Sequence, residues 1–168
     1  MSKRKTLIIL ISVIAGGILL DLLTKLLVVG LMSLGQSVTL IPGVLKLTYI
    51  RNYGAAFGML SDHRWVFMVI STVAIIGIGI YLFGYCKERM LLKVGLAMII
   101  SGGLGNMIDR VFYGYVVDMI NFCLFPFWKW IFNVADAFVC VGAGLVILAI
   151  VLDMIKEVKG KKKNDSKQ

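Results

Sequence analysis

Two aspartates stand out in a sequence that has few acidic residues. The chain of 168 residues contains 9 Asp and Glu, and Asp118 and Asp136 both fall beside long apolar stretches. Two close carboxylates cannot both ionise cheaply, so they share one proton. The ionised carboxylate can then activate water while the protonated one donates to a substrate carbonyl. Such a pair permits amide hydrolysis without a metal ion or a covalent intermediate.

Asp136 also has a purely structural interpretation. Asn133 precedes it by three residues at the start of an apolar stretch. This spacing is typical of a helix in which Asn133 is the N-cap and Asp136 the third residue. The helix dipole would favour an ionised Asp136 there. Capping and catalysis therefore both stay open as roles of Asp136.

Asp21 and Lys25 form a second candidate pair, four residues apart on one predicted helix. This spacing places them on the same face with the acid first, which is the favourable order. Ionisable residues at membrane depth are costly, so they are functional candidates by default. The pair has two interpretations: a structural ion pair that reaches towards the interface, or a direct contact with substrate.

A glycine-rich stretch leads to Asn106 and Arg110. Gly102, Gly103 and Gly105 are small residues that allow helices to approach closely. No strand precedes them and no Gly-Lys-Ser/Thr follows, so this is not a nucleotide-binding loop. Arg110 has two open roles, because a cation at the membrane boundary can anchor to phospholipid headgroups or bind a polar group of a substrate.

The remaining chemistry-bearing residues argue against several other mechanisms. His63 is the single histidine, so no His-Glu-x-x-His metal site exists, and the three cysteines are too scattered for a zinc site. Ser101 would need a nearby base to act as a nucleophile, and His63 belongs to a loop that precedes another span. We therefore expect neither a metal ion nor another cofactor, and we expect His63 to be an ordinary surface residue.

The elements that position these residues are predicted to cross a membrane. Hydrophobic residues make up 60% of the chain and charged residues 16%, whereas a soluble domain has roughly 45–50% and 25%. Four apolar stretches are long enough to cross a hydrocarbon layer of ~30 Å. They cover about residues 7–34, 65–85, 90–108 and 133–152. The predicted fold class is an all-α polytopic membrane protein with four transmembrane helices.

The basic residues predict how these spans are oriented. Most of the 18 Lys and Arg lie before the first span, between the second and third, or after the fourth. The positive-inside rule then places both termini in the cytoplasm. Residues 1–155 are predicted to form one membrane-embedded domain, and residues 156–168 a basic cytoplasmic tail whose end we expect to be disordered. The basic excess fits contact with anionic lipid, and nucleic acid binding is not expected.

The first outer loop carries the signal of a β-hairpin. Val38–Ile41 and Val44–Ile50 are rich in β-branched residues and are separated by Pro42-Gly43. Val116–Ile120 is a further strand candidate. We expect a small extracytoplasmic sheet next to the four spans.

Five short blocks together resemble bacterial lipoprotein signal peptidase (signal peptidase II). They are Asp21-Leu-Leu-Thr24-Lys25, Arg51-Asn52-Tyr53-Gly54-Ala55-Ala56-Phe57-Gly58, Gly105-Asn106-Met107-Ile108-Asp109-Arg110, Val116-Val117-Asp118 and Phe132-Asn133-Val134-Ala135-Asp136. The likeness runs from about residue 7 to residue 152 in the same order as in the family. Each block alone is a weak signal, and their coincidence makes the resemblance specific.

The resemblance implies an aspartyl endopeptidase of the bacterial cytoplasmic membrane, with an active site facing outward. Such an enzyme cleaves the signal peptide from prolipoproteins just before the cysteine that carries diacylglycerol. By the family's pattern, Asp118 and Asp136 match the catalytic pair, and Asp21 and Lys25 match a supporting pair. The residues that match the surroundings of the substrate pocket are Asn52, Gly54, Asn106, Arg110, Asn133 and Ala135. The implied fold has four helices and a small outer β-cradle, the implied partners are prolipoproteins and membrane lipids, and we expect a monomer.

Two other classes of membrane protein compete with this prediction. A small transporter or lipid-binding protein would use boundary carboxylates to bind cations or relay protons. A transporter would place its charges near the midplane and often has inverted repeats, and neither feature is apparent in the sequence. A structural assembly subunit would leave the boundary carboxylates unexplained. The sequence therefore favours the peptidase.

Overall fold

Four long helices form the body of the structure, a computed structural model that describes residues 2–54, 64–86, 89–124 and 130–165. They are α1 (Lys3–Leu31), α2 (Arg64–Ile80), α3 (Met90–Phe112) and α4 (Val134–Asp165). A π-helical segment, Tyr81–Tyr85, continues α2. In the part of the chain that the structure describes, four helices are long and apolar enough to cross a membrane. The four helices that the sequence predicted are confirmed.

Two helices end later in the chain than the sequence predicted. α3 passes residue 108 and ends at Phe112, where the Tyr113 N–H bonds the Asp109 carbonyl at 2.8 Å and Gly114 follows with φ 79°. A glycine in this left-handed conformation is a common helix stop. α4 passes residue 152 and continues to Asp165, so the chain is helical there, and our expectation of a disordered end was wrong for residues up to Asp165. Lysine is a good helix former, and extending an existing helix needs no new nucleus.

A small antiparallel sheet accompanies the helices, with strand order β1-β2-β3-β4. The strands are β1 (Ser37–Ile41), β2 (Leu45–Asn52), β3 (Val116–Phe122) and β4 (Ile131–Phe132). β1 and β2 form the hairpin that the sequence predicted, and Gly43 in its turn has φ 72°. The strand predicted at residues 116–120 is β3. The register of β2 against β3 pairs Ile50 with Asp118 and Asn52 with Val116, which brings residues distant in sequence to the same face.

Close contacts between helices place α3 at the centre of the bundle. A Cβ at Gly95 of α3 would lie 2.8 Å from the Gly142 carbonyl of α4, so these two backbones touch. On the other side of α3, the Ser101 hydroxyl donates to the Ile14 carbonyl of α1 at 2.9 Å. Small residues permit such approaches. The structure thus gives Ser101 a bond between helices, which is a structural role.

Two hydrophobic clusters fix the sheet relative to the helices. The first lies among the helices and consists of Leu10, Leu82, Leu92, Leu96, Ala97, Ile100 and Ala149. The second packs the sheet against the end of α1 and contains Val28, Tyr49, Val117 and Met119. Buried apolar surface contributes about 25 cal/mol per Å². The second cluster therefore holds β3, the strand that carries Asp118, against the end of the first span.

Candidate active site

Asp118 lies on β3 in an almost closed environment, with 2% of its surface exposed. Its Oδ2 accepts a hydrogen bond from Asn52 Nδ2 at 2.9 Å, and its Oδ1 accepts one from Asn133 Nδ2 at 2.7 Å. Asn52 reaches it from the neighbouring strand, and Asn133 from the start of α4. Both carboxylate oxygens are therefore oriented by amide groups.

The surroundings of Asp118 favour its protonated form. Burial is the main cause that raises the pKa of the Asp118 carboxyl to about 6. The hydrogen bond from Asn52 opposes this shift, and the nearby charge of Asp136 adds to it. A like charge disfavours ionisation because two close carboxylates repel each other. Asp118 thus keeps its proton to a higher pH than an ordinary aspartate, up to about pH 6.

Asp136 lies in the first turn of α4, where the predicted capping arrangement is confirmed. The Asp136 N–H donates to Asn133 Oδ1 at 2.9 Å, and the Asn133 N–H donates to Asp136 Oδ2 at 3.2 Å. This is a reciprocal capping box. The other oxygen, Oδ1, accepts a hydrogen bond from Asn106 Nδ2 at 2.7 Å. Capping occupies one oxygen of Asp136, and the second oxygen faces Asn106.

Asn133 joins the surroundings of the two aspartates. It is completely buried, and its Nδ2 bonds Asp118 Oδ1 at 2.7 Å and Asn106 Oδ1 at 2.9 Å. Its Oδ1 caps the N–H of Asp136. A buried amide with all these partners has few alternative orientations. One side chain therefore fixes Asp118 relative to the start of α4.

A buried ion cluster lies behind these residues and contains Asp21, Lys25 and Asp109. Lys25 Nζ is 2.7 Å from Asp21 Oδ2 and 2.9 Å from Asp109 Oδ2. Their exposed fractions are 3% for Lys25 and 1% for each aspartate. Buried charges persist when they are paired. This burial favours the structural interpretation of Asp21 and Lys25 over direct contact with substrate.

The ion cluster holds the residue that precedes each candidate catalytic aspartate. Asp21 Oδ1 accepts a hydrogen bond from the N–H of Ala135 at 2.8 Å. Asp109 Oδ2 accepts one from the N–H of Val117 at 3.1 Å. Charge-assisted hydrogen bonds to backbone amides are among the stronger ones. The backbone leading into Asp118 and the backbone leading into Asp136 are thus tied to the same three charges.

Asn106 connects the ion cluster to the two aspartates. Lys25 Nζ donates to Asn106 Oδ1 at 3.1 Å, and the Nδ2 of Asn106 donates to Asp136. Since the same Oδ1 also accepts from Asn133, the amide of Asn106 is held on both sides. The geometry fixes which of its atoms faces Asp136.

Arg110 borders a pocket beside this network. Its Nη1 donates to the Asn106 carbonyl at 3.2 Å, and its Nη2 lies 3.4 Å from the Gly54 carbonyl. The N–H of Gly54 in turn donates to Asn52 Oδ1 at 3.0 Å. The pocket has a volume of about 210 Å³, and its lining residues are Met68, Ser71, Gly103, Asn106, Met107, Arg110 and Val139. It lies over α3 between α2 and α4.

All the residues that the sequence singled out for the site lie in one hydrogen-bonded network. Three other sequence features have different outcomes. His63 lies outside the described residues, as do residues 55–58 of the second motif and residues 125–129. Ser101 binds a backbone carbonyl between helices. Among the described residues, no group of three or more His, Cys, Asp or Glu could hold a metal ion.

Two further residues of the site were not predicted. Asp109 lies in the third of the five blocks, but its bond to Val117 depends on a chain reversal that the sequence does not specify. Its position one residue before Arg110 in a conspicuous motif was the available signal. Ser71 lines the pocket from α2, and its signal was a hydroxyl within an apolar stretch without charges.

Comparisons with known proteins agree with this architecture. The family model for Signal peptidase (SPase) II matches residues 12–152. The lipoprotein signal peptidase of Halalkalibacterium halodurans is 44% identical over 144 residues, which cover 86% of this chain and 92% of that protein. The lipoprotein signal peptidase of Bacillus subtilis is 43% identical over 139 residues, which cover 83% of this chain and 90% of that protein.

A solved structure extends the comparison to three dimensions. A bacterial membrane enzyme determined by the in meso method at 2.3 Å resolution has a TM-score of 0.80 at 32% identity, covering 86% of this chain and 88% of that one. A second such enzyme, at 1.9 Å resolution, has a TM-score of 0.77 at 33% identity, covering 84% and 91%. Sequence and structure agree over most of the chain's length, and the chain belongs to the signal peptidase II family.

Proposed function

We propose that this protein is an aspartyl endopeptidase that removes signal peptides from prolipoproteins. It cleaves before the diacylglyceryl-modified cysteine at the outer face of the cytoplasmic membrane. The observation that carries the proposal is the pair Asp118 and Asp136, whose surroundings are joined by the buried Asn133. The names of the curated relatives, lipoprotein signal peptidase, support the choice of substrate.

The two aspartates have different surroundings, which suits them to different roles. Asp136 lies at a helix N-terminus, where backbone N–H groups and the helix dipole stabilise a negative charge. Asp118 has a raised pKa of about 6, mainly because it is buried. Paired carboxylates whose environments differ in this way divide into an acid and a base. We assign the base to Asp136 and the acid to Asp118.

The reaction then proceeds by direct attack of water. Asp136 takes a proton from the water. At the same time the oxygen of the water bonds to the carbonyl carbon that precedes the modified cysteine. Asp118 gives its proton to the carbonyl oxygen, which forms a neutral tetrahedral intermediate. When the C–N bond breaks, the cysteine nitrogen takes up a proton from Asp136. One hydroxyl group of the intermediate returns its proton to Asp118, and the carbonyl re-forms. Protons and bonds balance, and both aspartates regain their starting states.

The position of the site suits a substrate held in a bilayer. The two aspartates lie where α3 and α4 meet the sheet, at one end of the spans. The adjoining pocket between α2 and α4 has apolar residues such as Met68 and Met107, together with the cation of Arg110. Acyl chains of the substrate can reach lipid there while its backbone reaches water. Arg110 is placed to bind a polar group of the substrate.

The orientation and assembly are part of the proposal. The positive-inside rule assigns the basic ends of α1 and α4 to the cytoplasm, so the sheet and the site face outward as a cradle for the substrate. All ten residues proposed for the site come from one chain and are joined in one network of hydrogen bonds and ion pairs. A monomer therefore suffices for the reaction.

The proposal is tested by incubating the purified protein with a diacylglyceryl-modified precursor and following release of the signal peptide. The same precursor without the lipid serves as the matched control. We expect cleavage of the modified precursor and far slower cleavage of the unmodified one. Equal cleavage of both would contradict the proposed substrate, and no cleavage of either by the folded protein would contradict the proposed activity.

A further inference from the structure

Arg51 lies on the face of the sheet opposite to the candidate active site. It precedes Asn52 on β2, and successive side chains of a strand point to opposite faces. Asn52 bonds Asp118, whereas the Nε of Arg51 donates to the Tyr49 hydroxyl at 3.2 Å. The Arg51 side chain is exposed. The mechanism above leaves this arginine without a role.

A group of tyrosines, which we name the tyrosine cluster, lies beside the guanidinium and consists of Tyr49, Tyr53, Tyr113 and Tyr115. The guanidinium carbon lies 4.8 Å from the centroid of the Tyr115 ring. That ring lies 5.5 Å from the ring of Tyr53 and 6.1 Å from the ring of Tyr113. Stacking on an aromatic face holds a guanidinium in place and leaves its edge accessible to a partner. The donors at that edge are therefore preorganised.

The tyrosine cluster lies at the level where two spans end. Tyr49 belongs to the hydrophobic cluster that packs the sheet against Val28 and Met32 at the end of α1. Tyr113 is the C-cap residue of α3. Tyrosines concentrate at the height of lipid headgroups because one end of the side chain is apolar and the other polar. A headgroup layer at this height would reach Arg51.

The charge of Arg51 is not neutralised within the described parts of the chain. The ion pairs found there join Lys25 to Asp21 and Asp109, and Arg89 to Asp153. An arginine fork matches the geometry of a phosphate with two parallel hydrogen bonds. Anionic headgroups attract basic groups near the membrane surface by about 1 kcal/mol per residue. A lipid phosphate would supply a negative charge that the described residues do not place beside Arg51.

We propose that Arg51 and the tyrosine cluster form a binding site for the phosphate of an anionic phospholipid headgroup. Bound lipid would fasten the sheet to the bilayer on the face opposite to Asp118. The site is separate from the reaction, so its existence does not depend on the proposed peptidase activity. Zwitterionic lipid and free inorganic phosphate are the competing ligands.

The test is the thermal unfolding of the purified protein in micelles that contain added phospholipid. The phospholipid is phosphatidylcholine in which the mole fraction of phosphatidylglycerol is increased stepwise. We expect phosphatidylglycerol to raise the midpoint in a saturable way. In Arg51→Gln, the apparent affinity should fall by about tenfold, as expected on losing a charge-assisted hydrogen-bonded contact. Arg51→Lys keeps the charge without the fork and should give an intermediate value, and it serves if Arg51→Gln does not fold.

Lys46→Gln is the matched control, because it removes one positive charge from the same strand outside the tyrosine cluster. It should retain the affinity of the unchanged protein. Equal loss in Lys46→Gln and Arg51→Gln would show a general effect of net charge and overturn the site. Arg51→Gln could instead lower the midpoint of thermal unfolding while the increase caused by phosphatidylglycerol stays unchanged. Arg51 would then have only a structural role, and this result would also overturn the site. Equal stabilisation by phosphatidylcholine alone, or by inorganic phosphate, would contradict the anionic-lipid assignment.

Discussion

Asn133 links the two aspartates through separate atoms of one amide. Its Oδ1 caps α4, and its Nδ2 bonds Asp118 and Asn106. Substitution by serine separates these contributions, since serine is a good N-cap residue but has no amide donor. Alanine removes both.

We therefore expect Asn133→Ser and Asn133→Ala to lose activity together while differing in stability. Serine should retain about 1 kcal/mol more unfolding free energy than alanine, the usual contribution of an N-cap. Cleavage of the modified precursor should fall at least roughly tenfold in both variants, because Asp118 loses its partner. Midpoints of thermal unfolding and cleavage rates measure the two effects. Full activity in Asn133→Ser would contradict the orienting role of the amide.

Asp118→Asn should change how stability depends on pH. In the folded protein the pKa of Asp118 is about 6, raised mainly by burial from an ordinary value of 3.8. The folded state therefore holds the proton more tightly than the unfolded state. Below about pH 4 the carboxyl of Asp118 is protonated in both states, so its ionisation does not lower the free energy of unfolding. Stability is lost as the pH rises towards 6, and above it the loss amounts to about 3 kcal/mol.

The variant has no carboxyl at this position and should not show that loss. Between pH 4 and pH 7, the difference in unfolding free energy should shift in favour of Asp118→Asn by up to about 3 kcal/mol. Denaturant unfolding in micelles over this pH range measures it. A difference that does not vary with pH would mean that the ionisation of Asp118 is not penalised in the folded state.

The elements bring the site together through close packing of α1, α3 and α4. Gly105 lies where these helices meet, because a Cβ there would be 2.6 Å from Asp21 Oδ2 and 3.3 Å from the Cβ of Ala135. Asp21 holds the N–H of Ala135, so any shift of this carboxylate is transmitted to the start of α4.

Gly105→Ala is expected to lower both stability and activity. The added methyl group overpacks a buried ion cluster, and overpacking typically costs about 1–3 kcal/mol. Gly144→Ala is the matched control, since a Cβ at this α4 position meets nothing within 4 Å. The control should be neutral or slightly stabilising. Unfolding midpoints and cleavage rates distinguish the two variants, and equal behaviour would contradict the proposed transmission through Asp21.

Local elements were largely predictable from the sequence, whereas contacts between elements were not. The cap formed by Asn133 and Asp136 spans three residues, and the hairpin of β1 and β2 has its turn residues between its strands. The bond from Asn52 to Asp118 depends on the register of β2 against β3, across two intervening helices. Sequence patterns carry no register over such a distance. The resemblance to the family supplied these residues, and the structure supplies their contacts.

At the scale of the whole molecule, the central prediction is orientation. Cys86 follows the π-helical segment at one end of the spans, Cys123 follows β3 at the other, and Cys140 lies within α4. With both termini in the cytoplasm, a membrane-impermeant thiol reagent should label Cys123 but not Cys86 in intact cells. Cys140, within α4, should lie in the hydrocarbon region, where the reagent does not enter. Cys123→Ser should abolish the labelling. Labelling at Cys86 in intact cells would instead indicate the opposite orientation in the membrane.

The overall design combines an apolar bundle that sets depth with a polar network at one end. The three charges of the ion cluster connect α1 and α3 to β3 and to the start of α4. A buried ion pair is weak support for stability, because desolvation offsets much of the attraction. Its contribution here is geometric, since it fixes the backbone beside both aspartates.

The most direct test of the proposed chemistry is the rate of signal-peptide release by three variants that insert and fold normally. Asp118→Asn and Asp136→Asn should each lower the rate on the modified precursor by at least about a hundredfold, the scale of one general acid or base. Asp153→Asn, at the opposite end of the spans in a partly exposed pair with Arg89, should cleave at nearly the unchanged rate. Full activity in either Asp118→Asn or Asp136→Asn would contradict the aspartyl mechanism.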